Sequence, residues 1–222
     1  MRLIIHHHLG LGDHFVCNGL VRFIIDKNNY EQYYIPAKEH NFSTVKEMYS
    51  DLNNVEVVSV KTDNDVIHIK PGSYIKRIGF EYMDHSKKFD KAFYDQLNLP
   101  LSVKRTYFKI NRNSKKEQRC YDHYAPPEKY IFVHDKTSAG EYNLKIETNL
   151  PIVKPEGFDF TLTDYLKLIE DAEEVHCLDS SFSNMIDLST TRSNLFFHEV
   201  RYGVPLPIHS DKWISIKYGE NG

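Results

Sequence analysis

The residues with chemistry to offer gather in four places. Leu9-Gly10-Leu11-Gly12-Asp13 follows the apolar run Leu3-Ile4-Ile5 and precedes apolar positions at helical spacing. A glycine turn at the carboxyl end of a strand delivers free N–H groups at a helix amino terminus, where open sheets hold their ligands. It is not a dinucleotide fingerprint, because Phe15 stands where the third glycine of Gly-x-Gly-x-x-Gly belongs, and it lacks the Lys-Ser/Thr pair of a phosphate loop. Asp13 has two readings. A first-turn acid is favoured by the helix dipole, and a carboxylate at the mouth of a cleft also takes the proton of a sugar hydroxyl as that oxygen attacks. A carboxylate at this point competes with phosphate for one set of N–H groups, which directs a phosphate elsewhere.

The second place is Asp179-Ser180-Ser181-Phe182-Ser183, between the strand-like Glu174 to Leu178 and a helical run. Ser180 and Ser181 can cap that helix, and their N–H and hydroxyl groups can hold a diphosphate. The third, His134-Asp135-Lys136-Thr137-Ser138-Ala139-Gly140, repeats the design of a strand followed by a polar loop. Lys136 can neutralise phosphate and Thr137 or Ser138 can donate to it, with Gly140 turning the chain. Each stretch reads equally well as a helix cap or polar turn. The fourth is His6-His7-His8. Neighbouring strand residues face opposite ways, so three in a row do not converge on one metal ion. His8, beside the turn, is the candidate to line the acceptor side.

These residues need elements to hold them. Leu3 to Ile5 reads as a strand, and Phe15, Val16, Leu20, Phe23 and Ile24 as the face of a helix ending near Asp26 to Asn29. Tyr33 to Ile35 reads as a strand stopped by Pro36, Phe42 to Leu52 as a helix, and Val55 to Val60 as a third strand. Strands alternating with helices require parallel pairing through crossovers. Beyond them come a short strand over Val66 to Lys70, a helix over His85 to Leu97, an extended segment over Lys104 to Ile110 and a polar connector with room for a helical turn over Asn111 to Pro127. The second half restarts with strands at Tyr130 to His134 and Glu174 to Leu178. Shorter extended pieces fall at Tyr142 to Ile146 and Ile152-Val153, and helices at Thr163 to Ala172 and Ser181 to Leu188. Leu195 to Phe197 reads as the last core strand. The expected architecture is α/β, two small Rossmann-like lobes with parallel sheets, divided as 1–115 and 116–222.

Composition narrows the function. With 28 Lys plus Arg against 31 Asp plus Glu, the net charge of -3 gives no global field for nucleic acid or an acidic membrane. The basic stretch Lys104, Arg105, Lys109, Arg112, Lys115, Lys116 and Arg119 reads first as a solvated connector balanced by acids elsewhere. Cys17, Cys120 and Cys177 lack Cys-x-x-Cys spacing, so neither a disulfide framework nor a zinc knuckle is indicated, and a reducing compartment, the cytoplasm, is expected. No run of apolar residues is long enough to span a bilayer.

The Gly-Leu-Gly-Asp turn and its helix resemble the opening of two-lobed GT-B glycosyltransferases of the heptosyltransferase kind, in which a Gly-Asp pair after the first strand supplies the catalytic carboxylate. Tyr130 to Gly140 and Glu174 to Leu188 look like the donor-binding half of such enzymes, and Asp179-Ser180-Ser181-Phe182 is similar to fucosyltransferase-like members. The resemblance implies a glycosyltransferase that moves a sugar from a nucleoside-diphosphate sugar to a glycan or other hydroxyl acceptor by an inverting, metal-independent route. Asp13 would be the base, with His8 beside it. His134, Lys136, Thr137, Ser138, Asp179, Ser180, Ser181 and Phe182 would hold the donor, and Gly10 and Gly12 would shape the turn. No cofactor is expected beyond the donor substrate. The alternative is a non-catalytic nucleotide or sugar-phosphate-binding protein of the same fold.

Overall fold

The structure is a computed structural model and describes residues 1–80, 88–137, 139–156, 160–200, 206–207 and 209–218. It divides into two compact units, one built on Met1–Asn111 and the other on the chain from Arg112 onward.

The first unit runs β1 (Arg2–His6), α1 (Leu11–Lys27), β2 (Gln32–Lys38), α2 (Phe42–Met48), β3 (Val55–Val60), β4 (Tyr74–Arg77), α3 (Phe89–Gln96) and α4 (Val103–Thr106). Its sheet has the order β3-β2-β1-β4 with every pair parallel. Leu3 to His6 are all buried, as expected of an interior strand covered on both faces. Contrary to the expected stop at Pro36, β2 continues to Lys38. Its pairing with β1 ends at Tyr34, so the N–H that Pro36 lacks falls where β1 no longer asks for it, while Pro36 still faces Val58 of β3.

Two further segments depart from the sequence reading. Asp63–His68 is a 3₁₀ turn rather than the start of a strand, because Thr62 and Asp65 form a reciprocal capping box. Val103–Thr106 is one helical turn rather than extended, and it lies against α1 with its Lys104 buried. The helix expected from His85 begins, within the described residues, at Phe89.

The second unit runs α5 (Ser114–Tyr124), β5 (Ile131–His134), β6 (Lys136–Thr137), β7 (Gly140–Glu141), β8 (Ile152–Val153), α6 (Leu166–Glu170), β9 (Glu174–Leu178), α7 (Ser181–Leu188), β10 (Asn194–Glu199) and β11 (Trp213–Lys217). Its sheet, β11-β10-β9-β5-β8, is parallel throughout, and β6 and β7 form a separate antiparallel hairpin. The stretch read as a polar connector contains the three-turn helix α5, started by Asn113, whose side chain accepts from the Lys116 N–H. The pattern is faint because only Glu117 and Cys120 of α5 are buried. Tyr142 to Ile146 pairs with no strand, and β11 follows the strand read as last. The fold is therefore α/β with two Rossmann-like parallel sheets. Among the described residues no helix is long and apolar enough to cross a membrane.

One packing contact fixes the floor of the first unit. A Cβ placed on Gly19 in α1 would lie 2.6 Å from the Val103 carbonyl oxygen and 2.7 Å from that of Lys104. Both obstacles are backbone and cannot rotate away. Gly19→Ala should therefore destabilise the protein by about 1–3 kcal/mol, although alanine favours a helix. Chemical denaturation checks this, and a variant as stable as the parent would contradict it.

Candidate functional site

Gly10 is the N-cap of α1, with φ −67° and ψ 146°, an extended conformation open to any residue. Its glycine leaves room for the Asp13 carboxylate as it is placed here. A Cβ on Gly10 would overlap the Oδ2 of Asp13, whose carboxylate folds back over the turn. This corrects the idea that Gly10 serves the backbone conformation of the turn. Gly12 and Asp13 occupy the first helical turn, both partly exposed, and the first intrahelical bond runs from the His14 N–H to the Gly10 carbonyl at 3.2 Å. The earlier N–H groups have no carbonyl within the helix. An anionic side chain thus sits at the positive end of a 17-residue helix, partly open to solvent.

The three histidines take three different roles. His6 Nε2 donates to Asp63 at 3.1 Å, and burial lowers the ring's pKa despite that carboxylate. His7 is 1% exposed and donates through Nδ1 to the His8 carbonyl at 2.7 Å; burial pushes its pKa down to about 4. His8 is partly exposed and gives Nε2–H to the Gly79 carbonyl at 2.7 Å, so its Nδ1 is the nitrogen left with a lone pair. Beneath the turn lies His14, which no sequence signal singled out. It is fully buried, its ring meets that of His7 edge to face at 4.6 Å, and burial holds its pKa well below the usual value.

Gly79 is a second residue the sequence pattern conceals. Its φ of 86° lies in the left-handed region, and a Cβ there would overlap the Phe93 ring. No other residue presents that carbonyl to His8 without strain.

The chain carries one Asp-x-Asp triplet, Asp63-Asn64-Asp65, which bears on the expectation of a metal-independent route. Asp65 accepts from the Lys61 and Thr62 N–H groups at 3.1 and 2.8 Å, and Asp63 accepts from His6. Both carboxylates are engaged in shaping the loop. Among the described residues no group of three or more His, Cys, Asp or Glu side chains could hold a metal ion.

In the second unit β9 runs through Asp179 into α7. Ser180 is the N-cap: its Oγ accepts from the Ser183 N–H at 3.4 Å, and its own N–H is returned to Ser183 Oγ at 3.1 Å. Ser180 is thereby occupied as a cap, whereas Ser181 is the first residue of the helix and partly exposed. Phe182 is 5% exposed, with its ring against Phe132, Tyr165 and His134 at 5.6, 5.4 and 4.4 Å. Its part in this structure is to seat the helix on the core. His134 ends β5; burial lowers its pKa to about 4, and its Nδ1 is buried without a hydrogen-bond partner. Thr137 Oγ1 accepts from the Ala139 N–H at 3.0 Å, and Lys136 lies 3.3 Å from Glu141 across the hairpin. Asp135 is buried and paired with Lys154, a cation that sequence spacing gave no reason to choose. Ser138 lies outside the described residues. Asp13, His8, Gly10 and Gly12 thus belong to the first unit, and the donor-side candidates to the second.

No family model matches the chain, and no curated protein matches it. A solved structure of a glycosyl transferase family 9 protein from Veillonella parvula is similar in fold. It is 8% identical, with a TM-score of 0.59, over 97% of this chain and 86% of that one. At that identity the likeness is one of fold.

Three members of the basic stretch are paired with carboxylates. Lys104 is buried against Asp90 at 2.7 Å, Lys109 meets Asp51 at 2.7 Å, and Arg112 bridges Glu117 and Glu170. The expectation that Lys104 is solvated is corrected by its helical turn against α1.

The two serines separate by role. Ser180→Ala should lower stability by about 1 kcal/mol, the usual effect of losing a cap, while Ser181→Ala should change it by only a few tenths. Thermal unfolding of the two variants checks this. Equal losses would contradict the assignment.

Proposed function

We propose that this protein is a glycosyltransferase that moves a sugar from a nucleoside-diphosphate sugar to a hydroxyl acceptor, by an inverting and metal-independent route with Asp13 as general base. The observation that carries this reading is the placement of Asp13. It is a partly exposed carboxylate at the carboxyl end of the first strand of a fold similar, over 97% of the chain, to that of a glycosyl transferase family 9 structure. Ligands of open parallel sheets sit at that end.

The chemistry follows from these groups. An Asp13 oxygen takes the acceptor hydroxyl's proton while the acceptor oxygen bonds to the anomeric carbon. The bond from that carbon to the diphosphate oxygen breaks, and its electron pair leaves with the nucleoside diphosphate. His8, with Nε2–H given to Gly79, offers Nδ1 as an acceptor to a neighbouring hydroxyl of the acceptor molecule, the attacking hydroxyl's single hydrogen being directed to Asp13. In the second unit the N–H groups opening α7, the Ser181 hydroxyl and Lys136 are the groups offered to the departing diphosphate. The engagement of Asp63 and Asp65 within their loop supports a route without a cation. The N-terminal unit would serve the acceptor and the C-terminal unit the donor.

A second reading, a non-catalytic nucleotide or sugar-phosphate binder, draws on one observation. Asp13 stands three residues after the N-cap, where an acid is useful to a helix without doing any chemistry. A nucleic-acid role is disfavoured by the net charge of -3 and by the pairing of Lys104, Lys109 and Arg112.

Asp13→Asn separates the two readings. Asparagine keeps the size and a hydrogen-bonding oxygen but cannot accept the proton. Turnover with the cognate nucleotide sugar should fall about 100-fold or more, with the fold and donor affinity little changed and the acid limb of the rate profile gone. Near-parental turnover in a folded variant would remove Asp13 from the mechanism. Ser181→Ala and Lys136→Ala should each weaken nucleoside-diphosphate affinity measured by calorimetry, the Lys136 effect shrinking at high salt. Unchanged affinity in both would move the diphosphate away from these loops.

A further inference from the structure

Four side chains of the second unit, none used in the proposed reaction, form a continuous hydrogen-bonded row. Glu174 Oε2 lies 3.1 Å from His176 Nε2, His176 Nδ1 lies 3.0 Å from His198 Nε2, and His198 Nδ1 lies 2.7 Å from the Tyr218 hydroxyl. The backbone N–H of Lys145 donates to that same hydroxyl at 2.8 Å. The histidines are 4% and 0% exposed, on adjacent parallel strands, and the His176 ring stacks on Phe196 at 4.6 Å with 6° between planes.

The polarity of the row can be worked out from one end. A carboxylate only accepts, so His176 carries its hydrogen on Nε2 and its Nδ1 is an acceptor. His198 must then donate through Nε2, which leaves its Nδ1 to accept from Tyr218. Both rings are neutral and each ring nitrogen is matched. One added proton can be absorbed by reversal: His176 becomes a cation donating to Glu174 and, through Nδ1, to His198, which turns to donate to Tyr218. A second proton cannot be absorbed, because both nitrogens of the 3.0 Å contact would then carry hydrogens.

We propose that Glu174, His176, His198 and Tyr218 form an acid-operated latch that holds the edge strand β11 and the segment around Lys145 to the sheet. Among the described residues β11 pairs only with β10, and most of its residues are exposed, so releasing it uncovers little core. Tyr218 follows β11 directly, and through its hydroxyl and its ring, 5.0 Å from Lys145 Nζ, it ties that segment down. Among the described residues, the charged and titratable groups in contact with the row are Glu174 from β9, Lys145 from the segment before β8 and Tyr218 beyond β11. Glu199 and Lys217, one residue along their strands from His198 and its partner Ile216, point to the other face, and β5 brings Val133 beside His176. Burial lowers the pKa of both rings, that of His198 to about 4. A lowered folded-state pKa means that the latch is whole above the ordinary histidine value of 6.5 and weakens as the pH falls toward 4.

Hydrogen exchange of the full-length protein tests this, comparing the parent with His198→Gln, whose amide can accept from Tyr218 and donate to His176 without titrating. Between pH 6.5 and 4.5 the protection factors of the β11 amides should fall by about 10- to 100-fold in the parent and by less than about 3-fold in the variant. An equal fall in both would overturn the proposal. Should the variant not fold, the ring-nitrogen spectrum of the parent at pH 7 decides. Hydrogen on Nε2 of both histidines is expected, and hydrogen on Nδ1 of either one would refute the latch.

Discussion

The amino terminus of a helix presents a small set of N–H groups and the positive end of one dipole, and in the first unit Asp13 takes that place. Its carboxylate folds over Gly10 so closely that any other residue at position 10 would displace it. The rest of the site follows from this contact. In the proposed reading the turn does not also serve as a phosphate cradle, because two anions at one set of donors would repel each other. In that reading a phosphate-bearing ligand is assigned to the second unit, where α7 opens with serines rather than with an acid. The two units share one plan, a strand, a short turn and a helix, and differ in opening that helix with an acid or with serines.

Burial of neutral histidines recurs through the structure. His7 and His14 lie under the first turn, His134 closes β5, and His176 and His198 bridge β9 and β10, each with its pKa lowered chiefly by burial. Such rings supply polar atoms of fixed direction without charge. The geometry around His8 shows the use of this. His7 fixes the His8 carbonyl, Gly79 fixes the His8 ring, and the left-handed backbone at Gly79 is held by its N–H donating to Gln96 Oε1 at 2.6 Å. The cost of so many buried imidazoles is sensitivity to acid, since each must gain a proton on unfolding below its ordinary pKa.

Much of this was legible in the residues. Leu3 to Asp13 reads as strand, turn and helix because apolar runs, glycines and an acid each have a local reason to be there, and Glu174 to Leu188 reads equally directly. The failures are physical as well. Thr62 and Asp65 cap one another, and alternation over Val66 to Lys70 imitates a strand when capping is ignored. All four residues of β4 are exposed, so no alternation marks it, and α5 shows the core little more than Glu117 and Cys120. Within the candidate site, sequence pointed to Asp13 as a candidate but not to the contact its carboxylate makes over Gly10. It missed Gly79, His14 and Lys154 altogether, because each acquires its meaning from a partner distant in the chain.

The central claim is that the two strand-turn-helix corners divide the work, the first holding a reacting carboxylate and the second a diphosphate. The most direct measurement is a crystal structure of the full chain with whichever of ADP, GDP, UDP or CDP raises its melting temperature most. The account predicts the diphosphate against the N–H groups opening α7, within hydrogen-bonding reach of Ser181, with the Asp13 carboxylate still over Gly10. A diphosphate bound at the Gly10-Gly12 turn with Asp13 swung aside would contradict it.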